Sequence, residues 1–361
     1  MRVFVCGDIV PGGVLPYQEE YISKSLRDYM SQFDFRIGTL ECAVGNGLPY
    51  DEEKMRRKMN IIYVRNEDLS RIKEMGFDVV SLANNHVWDM GVEGLKNTIR
   101  QLEKLGIQYC GAGMNIEEAS RPAVVTKDGL SVAFLAYCEY DEKLFGHIEV
   151  AGKDKPGLCP LDINKIVEDI RAAKKKYDKV VVMPHWGKEY TYAPMPESVE
   201  MARQMIKAGA DAVMGGHSHQ VQPMVRMNEA PVCFCMGNFL FPDFYVQPPR
   251  PMWYPEPTED LTKIPDIDRY IFPIKEHSRR VWKPLSRYGR AVELTIDKES
   301  VSAKSHFTYT TSQNIVSDAS ITRSMKWQLW KNAAYIKFPP YRLVSDGKRR
   351  FKSMLKRKNR D

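Results

Sequence analysis

Short apolar runs separated by longer amphipathic stretches constrain this chain more than any other feature. RVFVCGD, FRIGTLE, DVVSLANN, SVAFLAYC, KVVVMPHW, DAVMGGH and VCFCMGNF are rich in β-branched and aromatic residues and too short for helices. Near-continuous apolar runs of that length read as strands buried on both faces. Helical patterns of mixed charge lie between them, at 67–75, 91–105, 163–177 and 197–208. Strand–helix alternation predicts a layered α/β fold, and in such folds ligand sites gather beyond the strand ends.

The residues that close these runs are the chemically informative ones. RVFVCG ends in Asp8, FRIGTL in Glu41, VVSLAN in Asn85-His86, KVVVMP in His185 and DAVMGG in His217-Ser218-His219. A single polar strand end is ordinary, because turns favour Asp, Asn and Gly for backbone reasons. Here, though, the chain has only seven histidines, and His86, His185, His217 and His219 all stand at strand ends. His147, His277 and His306 fall outside the pattern and read as surface or packing residues.

Carboxylate, imidazole and carboxamide donors suit Mn, Fe, Zn or Mg ions. A shared carboxylate can bridge two such ions about 3.5–4 Å apart. The glycines before His217 allow a tight turn, and His217 and His219 are expected to alternate along an extended segment facing one metal cluster.

Charge narrows the class of partner. The formal charge is +7, and KRRFKSMLKRKNRD at 348–361 supplies all of it, with eight Lys/Arg and one Asp. The main body is therefore formally neutral and gives no sign of binding nucleic acid; the tail has one aromatic, whereas stacking platforms need more. A basic tail of this kind suits peripheral contact with an anionic membrane. No window approaches the roughly 18–20 apolar residues of a transmembrane helix, and MRVFVCGD lacks the pattern of a signal peptide. The expected location is cytoplasmic, at most peripheral to the inner face of the membrane. The seven cysteines are odd in number and lie mostly in apolar runs, as thiols of a reducing compartment do. Cys233 and Cys235 are expected on one face of a strand, packed in the core.

From about Tyr245 the character changes. QPPRPMWYPEPTEDLTKIPDI is too rich in proline for a helix or strand and reads as a surface loop or lid, from which Arg250, Trp253 and Tyr254 can reach substrate. GRAVELTID and SVSAKSHFTY read as a closing β-hairpin, and 311–345 as a loop with a short helix.

The ordered motifs Gly7-Asp8, Leu40-Glu41, ANNHVWDMG at 83–91, HWGKE at 185–189, GHSH at 216–219 and GNFLF at 237–241 resemble those of the CapA family of capsule and poly-γ-glutamate biosynthesis. GIQYCGAGMNIEEASRPAV is similar to that family's connection after the NNH helix. The resemblance covers roughly residues 1–245 and resumes weakly at GRAVELTID.

It implies a calcineurin-like metallophosphoesterase fold, an α/β/β/α layered sandwich flanked by helices. The expected domain spans 1–310 with a proline-rich insertion at about 245–285, followed by an extension at 311–361. By the same resemblance Asp8, Glu41, Asn85, His185, His217 and His219 ligate one or two divalent ions, with Glu41 bridging. His86 serves as general acid, oriented by Asp89, itself expected in the first turn of the next helix. Asn84, Trp186, Glu189 and Asn238 contact substrate. Many calcineurin-like enzymes carry Asp-x-His where this chain has Asp8-Ile9-Val10, so one metal position lacks an imidazole.

The implied function is a metal-dependent hydrolase of capsule or exopolysaccharide production, whose substrate is an anionic polymer or a phosphorylated small molecule. Two alternatives stand beside it: a non-catalytic scaffold for polymer synthesis or export, and a metal-dependent hydrolase or ligase of γ-glutamyl amides.

Overall fold

The computed structural model describes residues 1–57, 60–140, 147–268 and 274–337; the basic tail at 348–361 lies outside them. The strands that matter are β1 (Arg2–Ile9), β2 (Phe35–Leu40), β3 (Val79–Ser81), β4 (Gln108–Cys110), β5 (Ala123–Lys127), β6 (Leu130–Cys138), β7 (Lys179–His185), β8 (Ala212–Met214), β9 (Met224–Met227), β10 (Ala230–Cys233), β11 (Asn238–Leu240), β12 (Tyr288–Ile296), β13 (Val301–Thr310) and β14 (Val316–Asp318). The long helices are α1 (Gly91–Leu105), α2 (Ile163–Lys174), α3 (Pro196–Ala208) and α4 (Arg323–Lys337).

Two sheets stack. The first runs β14-β13-β12-β1-β2-β3-β4, with β11 also pairing β1; the second runs β9-β10-β8-β7-β6-β5. In the first, β1, β2, β3 and β4 are mutually parallel, and in the second β6, β7, β8 and β10 are.

Alternation along the second sheet explains its unbroken apolar strands. Val132, Phe134, Ala136, Val181, Met183 and Met214 join the core shared with the first sheet. Their neighbours Ala133, Leu135, Tyr137, Val180, Val182 and Val213 pack against Ile166 and Ile170 of α2 and Val199, Ala202 and Met205 of α3. A strand buried on both faces has no reason to alternate in polarity. The layered α/β/β/α architecture is thus the one the sequence led us to expect.

Local signals set the helix ends. Asp162 caps α2 by accepting from the amides of Asn164 (2.8 Å) and Lys165 (3.2 Å), satisfying donors that lack an intrahelical partner. Pro196 opens α3, where its fixed φ suits the first turn.

Three expectations change. VCFCMGNF does not form one strand: β10 belongs to the second sheet and β11 to the first, and Gly237 (φ 71°) turns between them. Cys235 therefore lies beyond the strand that holds Cys233, although both are buried. The proline-rich region contains Phe244–Val246 and Asp266–Asp268, which pair with Ser278–Val281 in a small sheet; its prolines fall between these strands. Finally, β14 pairs with β13, and Tyr335 and Ile336 of α4 enter the second core. Residues 311–337, expected as a loop with a short helix, thus contribute a strand and a four-turn helix to the two layers.

β1 changes partner midway. Arg2–Val5 pair with β12, while Asp8 and Ile9 pair with β11. At the switch a Cβ on Gly7 would stand 1.8 Å from the Gly237 carbonyl oxygen, so only glycine admits the approach that sets Asp8 in place.

Candidate metal centre

The parallel strands of both sheets end at one rim. Asp8 (in β1), Glu41 (after β2) and Asn85 (after β3) arrive from the first sheet; His185 ends β7, and His217 and His219 follow β8. All are buried.

These residues form two overlapping groups. One donor atom each of Glu41, His185 and His217 lies within 4.8 Å of the others, and so do donors of Asp8, Glu41 and His219. Glu41 Oε1 is 3.5 Å from His185 Nε2 and 3.8 Å from His219 Nε2. Asn85 Oδ1 lies 2.9 Å from His185 Nε2, and His217 Nδ1 lies 3.2 Å from the same nitrogen. Asn85 thus joins the first group.

The residues fit divalent cations. Both Asp8 carboxylate oxygens are buried without a hydrogen-bond partner, as is His219 Nε2. The nearest cationic candidate to Asp8, His219 Nδ1, is 3.5 Å away. Burying a carboxylate without donors is costly unless it is paired or coordinates a metal. The space is also kept open: a Cβ on Gly216 would come within 3.1 Å of Asp8 Oδ1 and 3.2 Å of His185 Nδ1. Mixed oxygen and imidazole donors suit borderline divalent ions.

His217 and His219 do not lie on an extended segment. Their φ values are 90° and 51°, in a region costly for side chains other than glycine. The tight bend, rather than strand alternation, turns both imidazoles to the rim and sends His217 to one group and His219 to the other.

Hydrogen bonds to neighbouring residues hold the histidines. Asn238 Oδ1 lies 2.8 Å from His219 Nδ1, while its Nδ2 donates to the Ser286 carbonyl (3.1 Å). That second bond fixes the carboxamide so that its oxygen faces the ring. The proton is then on Nδ1, and Nε2 carries the lone pair. His86 Nδ1 is 2.7 Å from Asp89 Oδ2, which also accepts from the Ile62 amide at 2.5 Å. Asp89 precedes α1 and so lies in the turn before the helix, not in its first turn.

The remaining expected contacts divide. Asn84 is structural: its Oδ1 accepts from the amides of His86 (2.9 Å) and Val87 (3.0 Å), and its Nδ2 donates to the Leu40 carbonyl (2.7 Å). It thereby ties the turn bearing Asn85 and His86 to the residue before Glu41. Trp186 is a packing residue, with its indole N–H on the Phe234 carbonyl (2.8 Å) and its ring stacked on Phe234. Glu189 is half-exposed on the turn after β7. Asn238 has both ends of its carboxamide engaged by protein. Val10 is buried in the core, which leaves His219 as the imidazole of the Asp8 group.

Trp253 stacks on His277, and the Tyr254 hydroxyl donates to the Tyr63 carbonyl at 3.1 Å; neither joins the donor groups. Arg250 is half-buried and is also outside them.

Two residues beside the centre escaped the sequence reading. Trp282 packs edge-on against His219, with centroids 5.0 Å apart, and the Tyr190 ring is tilted over the same imidazole at 5.8 Å. Trp282 sits in a stretch without strand or helix periodicity, so nothing local marks it. Tyr190 directly follows HWGKE, and that adjacency was the available signal.

The chain is similar to known proteins over about two thirds of its length. The family model described as "Bacterial capsule synthesis protein PGA_cap" matches residues 2–243. The capsule biosynthesis protein CapA of Bacillus anthracis is 31% identical over 252 residues, covering 67% of this chain and 60% of that protein. The PGA biosynthesis protein CapA of Bacillus subtilis (strain 168) is 31% identical over 245 residues, covering 65% and 62%. The match thus spans about 60% of these relatives' length. Among solved structures, the calcineurin-like phosphoesterase YfkN from Bacillus subtilis superposes with a TM-score of 0.46 at 12% identity, over 94% of this chain and 99% of that one; so loose a superposition decides nothing about chemistry. The family match rests on the sequence over the whole stretch that builds the rim, and on that ground the chain belongs to the bacterial capsule synthesis protein family, PGA_cap.

Proposed function

We propose that this protein is a metal-dependent hydrolase of capsule or poly-γ-glutamate-type polymer production, acting on a phosphoester or an anionic polymer intermediate. One observation carries the reading: Glu41 belongs to both donor groups, an arrangement that suits two neighbouring ions acting together in hydrolysis. Glu41, Asn85, His185 and His217 would hold one ion, and Asp8, Glu41 and His219 the other. Divalent ions bound there supply Lewis-acid chemistry toward water and phosphoryl or carbonyl oxygens.

The chain's own residues do the rest. Asp89, an acceptor twice over, keeps the proton of the His86 ring on Nδ1. Nε2 is then the atom at which His86 exchanges a proton with the leaving oxygen. Asn238 and Ser286 keep the Nε2 lone pair of His219 available to the centre. The bend at 216–219 brings both histidines in without blocking the space that Gly216 leaves.

The test is elemental analysis of the purified protein beside a His217→Ala/His219→Ala double variant, together with hydrolysis of phosphomonoester and phosphodiester probes. One or two ions per chain in the parent, lost in a variant with an unchanged circular dichroism spectrum, support the centre. His86→Ala should then lose turnover while keeping its metal. A parent that takes up no metal on reconstitution overturns the reading.

A further inference from the structure

We infer that the outer face of α4 is a docking surface for an anionic lipid bilayer. Trp327 and Trp330 are each 62% exposed and stack on one another with centroids 5.0 Å apart. Among the described residues no other tryptophan is exposed to that degree. Arg323, Lys326, Lys331 and Lys337 are exposed on the same helix, and 323–337 contains no Asp or Glu. The opposite side is the anchored one: Met325, Asn332, Tyr335 and Ile336 are buried.

Helical spacing explains the division. Residues 323, 327, 330 and 331 recur at intervals of three and four and share one side of the helix. That side carries a pair of indoles flanked by cations. Burying two large apolar rings in protein would favour an apolar flank, and a soluble polyanion would satisfy the cations but offer the indoles no apolar phase. A bilayer surface meets both demands, since indoles settle at the headgroup level and cations pair with anionic headgroups. Each Lys or Arg near such a surface adds to the attraction. The sequence after α4 continues the sign, with the net positive charge of the chain concentrated at 348–361.

The surface also has a structural link to the rim. Asn332 Nδ2 donates to the Tyr192 carbonyl at 2.7 Å. Tyr192 belongs to the loop that carries Tyr190 over His219, and Ser218 and Gln222 donate to the Thr191 carbonyl in the same loop (3.0 and 2.9 Å). Docking through α4 would hold the metal centre at a fixed orientation to the lipid.

The experiment is co-sedimentation of the full chain with phosphatidylcholine vesicles, with and without phosphatidylglycerol, read with tryptophan fluorescence. The expected result is binding to the anionic vesicles alone, weakened by salt, with a blue shift of the emission. Trp327→Ala/Trp330→Ala should lower partitioning about tenfold or more, and Lys326→Glu/Lys331→Glu should do the same. Both pairs are exposed, and an unchanged circular dichroism spectrum checks that each variant folds. Undiminished vesicle binding by the tryptophan variant would overturn the proposal and move the contact to the basic tail. A wild-type chain that ignores vesicles, or that shields its indoles by self-association on concentration, would overturn it as well.

Discussion

His219 donates its Nδ1–H to the carboxamide of Asn238 at 2.8 Å, linking the bend after β8 to β11. The pairing assigns the ring's tautomer, because the other end of Asn238 is committed to Ser286. Asn238→Ala should therefore weaken metal binding by about 10- to 100-fold, as loss of a partner behind a ligand does. Asn238→Asp, which still accepts the Nδ1–H, should recover part of it. Metal titration of the three proteins reads the difference, and equal affinities would remove Asn238 from the role.

Gly216 tests whether open space at the rim matters. A Cβ there would press on Asp8 Oδ1 and His185 Nδ1 at 3.1 and 3.2 Å. Gly216→Ala should keep the far-ultraviolet circular dichroism of the parent and bind metal about tenfold more weakly or worse, because ligand geometry at metal sites tolerates little displacement. Parent-like metal content would mean that the neighbours yield without cost.

Asp8 should show a conflict between stability and ligation. Its carboxylate is buried with no hydrogen bond to either oxygen, a state that costs free energy in the metal-free protein. Asp8→Asn should raise the stability of the metal-free chain by about 1–2 kcal/mol and abolish the extra stability that added metal gives the parent. Denaturant melts with and without metal decide it; a destabilised metal-free variant would show that the carboxylate is held by something other than an ion.

The thiols should be silent in the native state. Burial pushes the Cys110 thiol up to about 12, and Cys159, also by burial, well above its usual value. A thiol reagent at mildly alkaline pH should label none of the seven cysteines until the protein unfolds, when all react. The sign with pH follows: these groups keep their protons in the folded chain and lose them in the unfolded one above about pH 8.5. Their contribution to stability is complete below that pH and declines as pH rises toward the folded value. Thiol titration and denaturant midpoints across this range check both statements.

His86 and Asp89 give a test separate from metal binding. The 2.7 Å contact between them predicts that Asp89→Asn lowers kcat by about 10²–10⁴-fold and leaves metal content unchanged. Activity unaffected by the substitution would reduce Asp89 to a partner of the Ile62 amide.

The sequence by itself indicated most of the long strands, most of the helices and the polar residues that gather at the rim. Those features are local: buried strands need apolar runs, helix ends need caps and glycines, and a chain leaving a sheet places its polar residue at the strand end. Asp8, Glu41, Asn85, His185, His217 and His219 were legible for that reason. Tertiary structure decided what has no local signal. It divided VCFCMGNF between two sheets, because Gly237 turns where a strand pattern would continue. It put His217 and His219 in left-handed conformations and gave each to a different group, with Glu41 common to both. It withdrew Trp186 and Asn84 into packing and brought Trp282, 63 residues after His219 in sequence, against that imidazole. Residue type records which atoms can ligate, whereas the approach of one sheet's strand ends to the other's, set by the packing of the faces between them, decides which atoms meet.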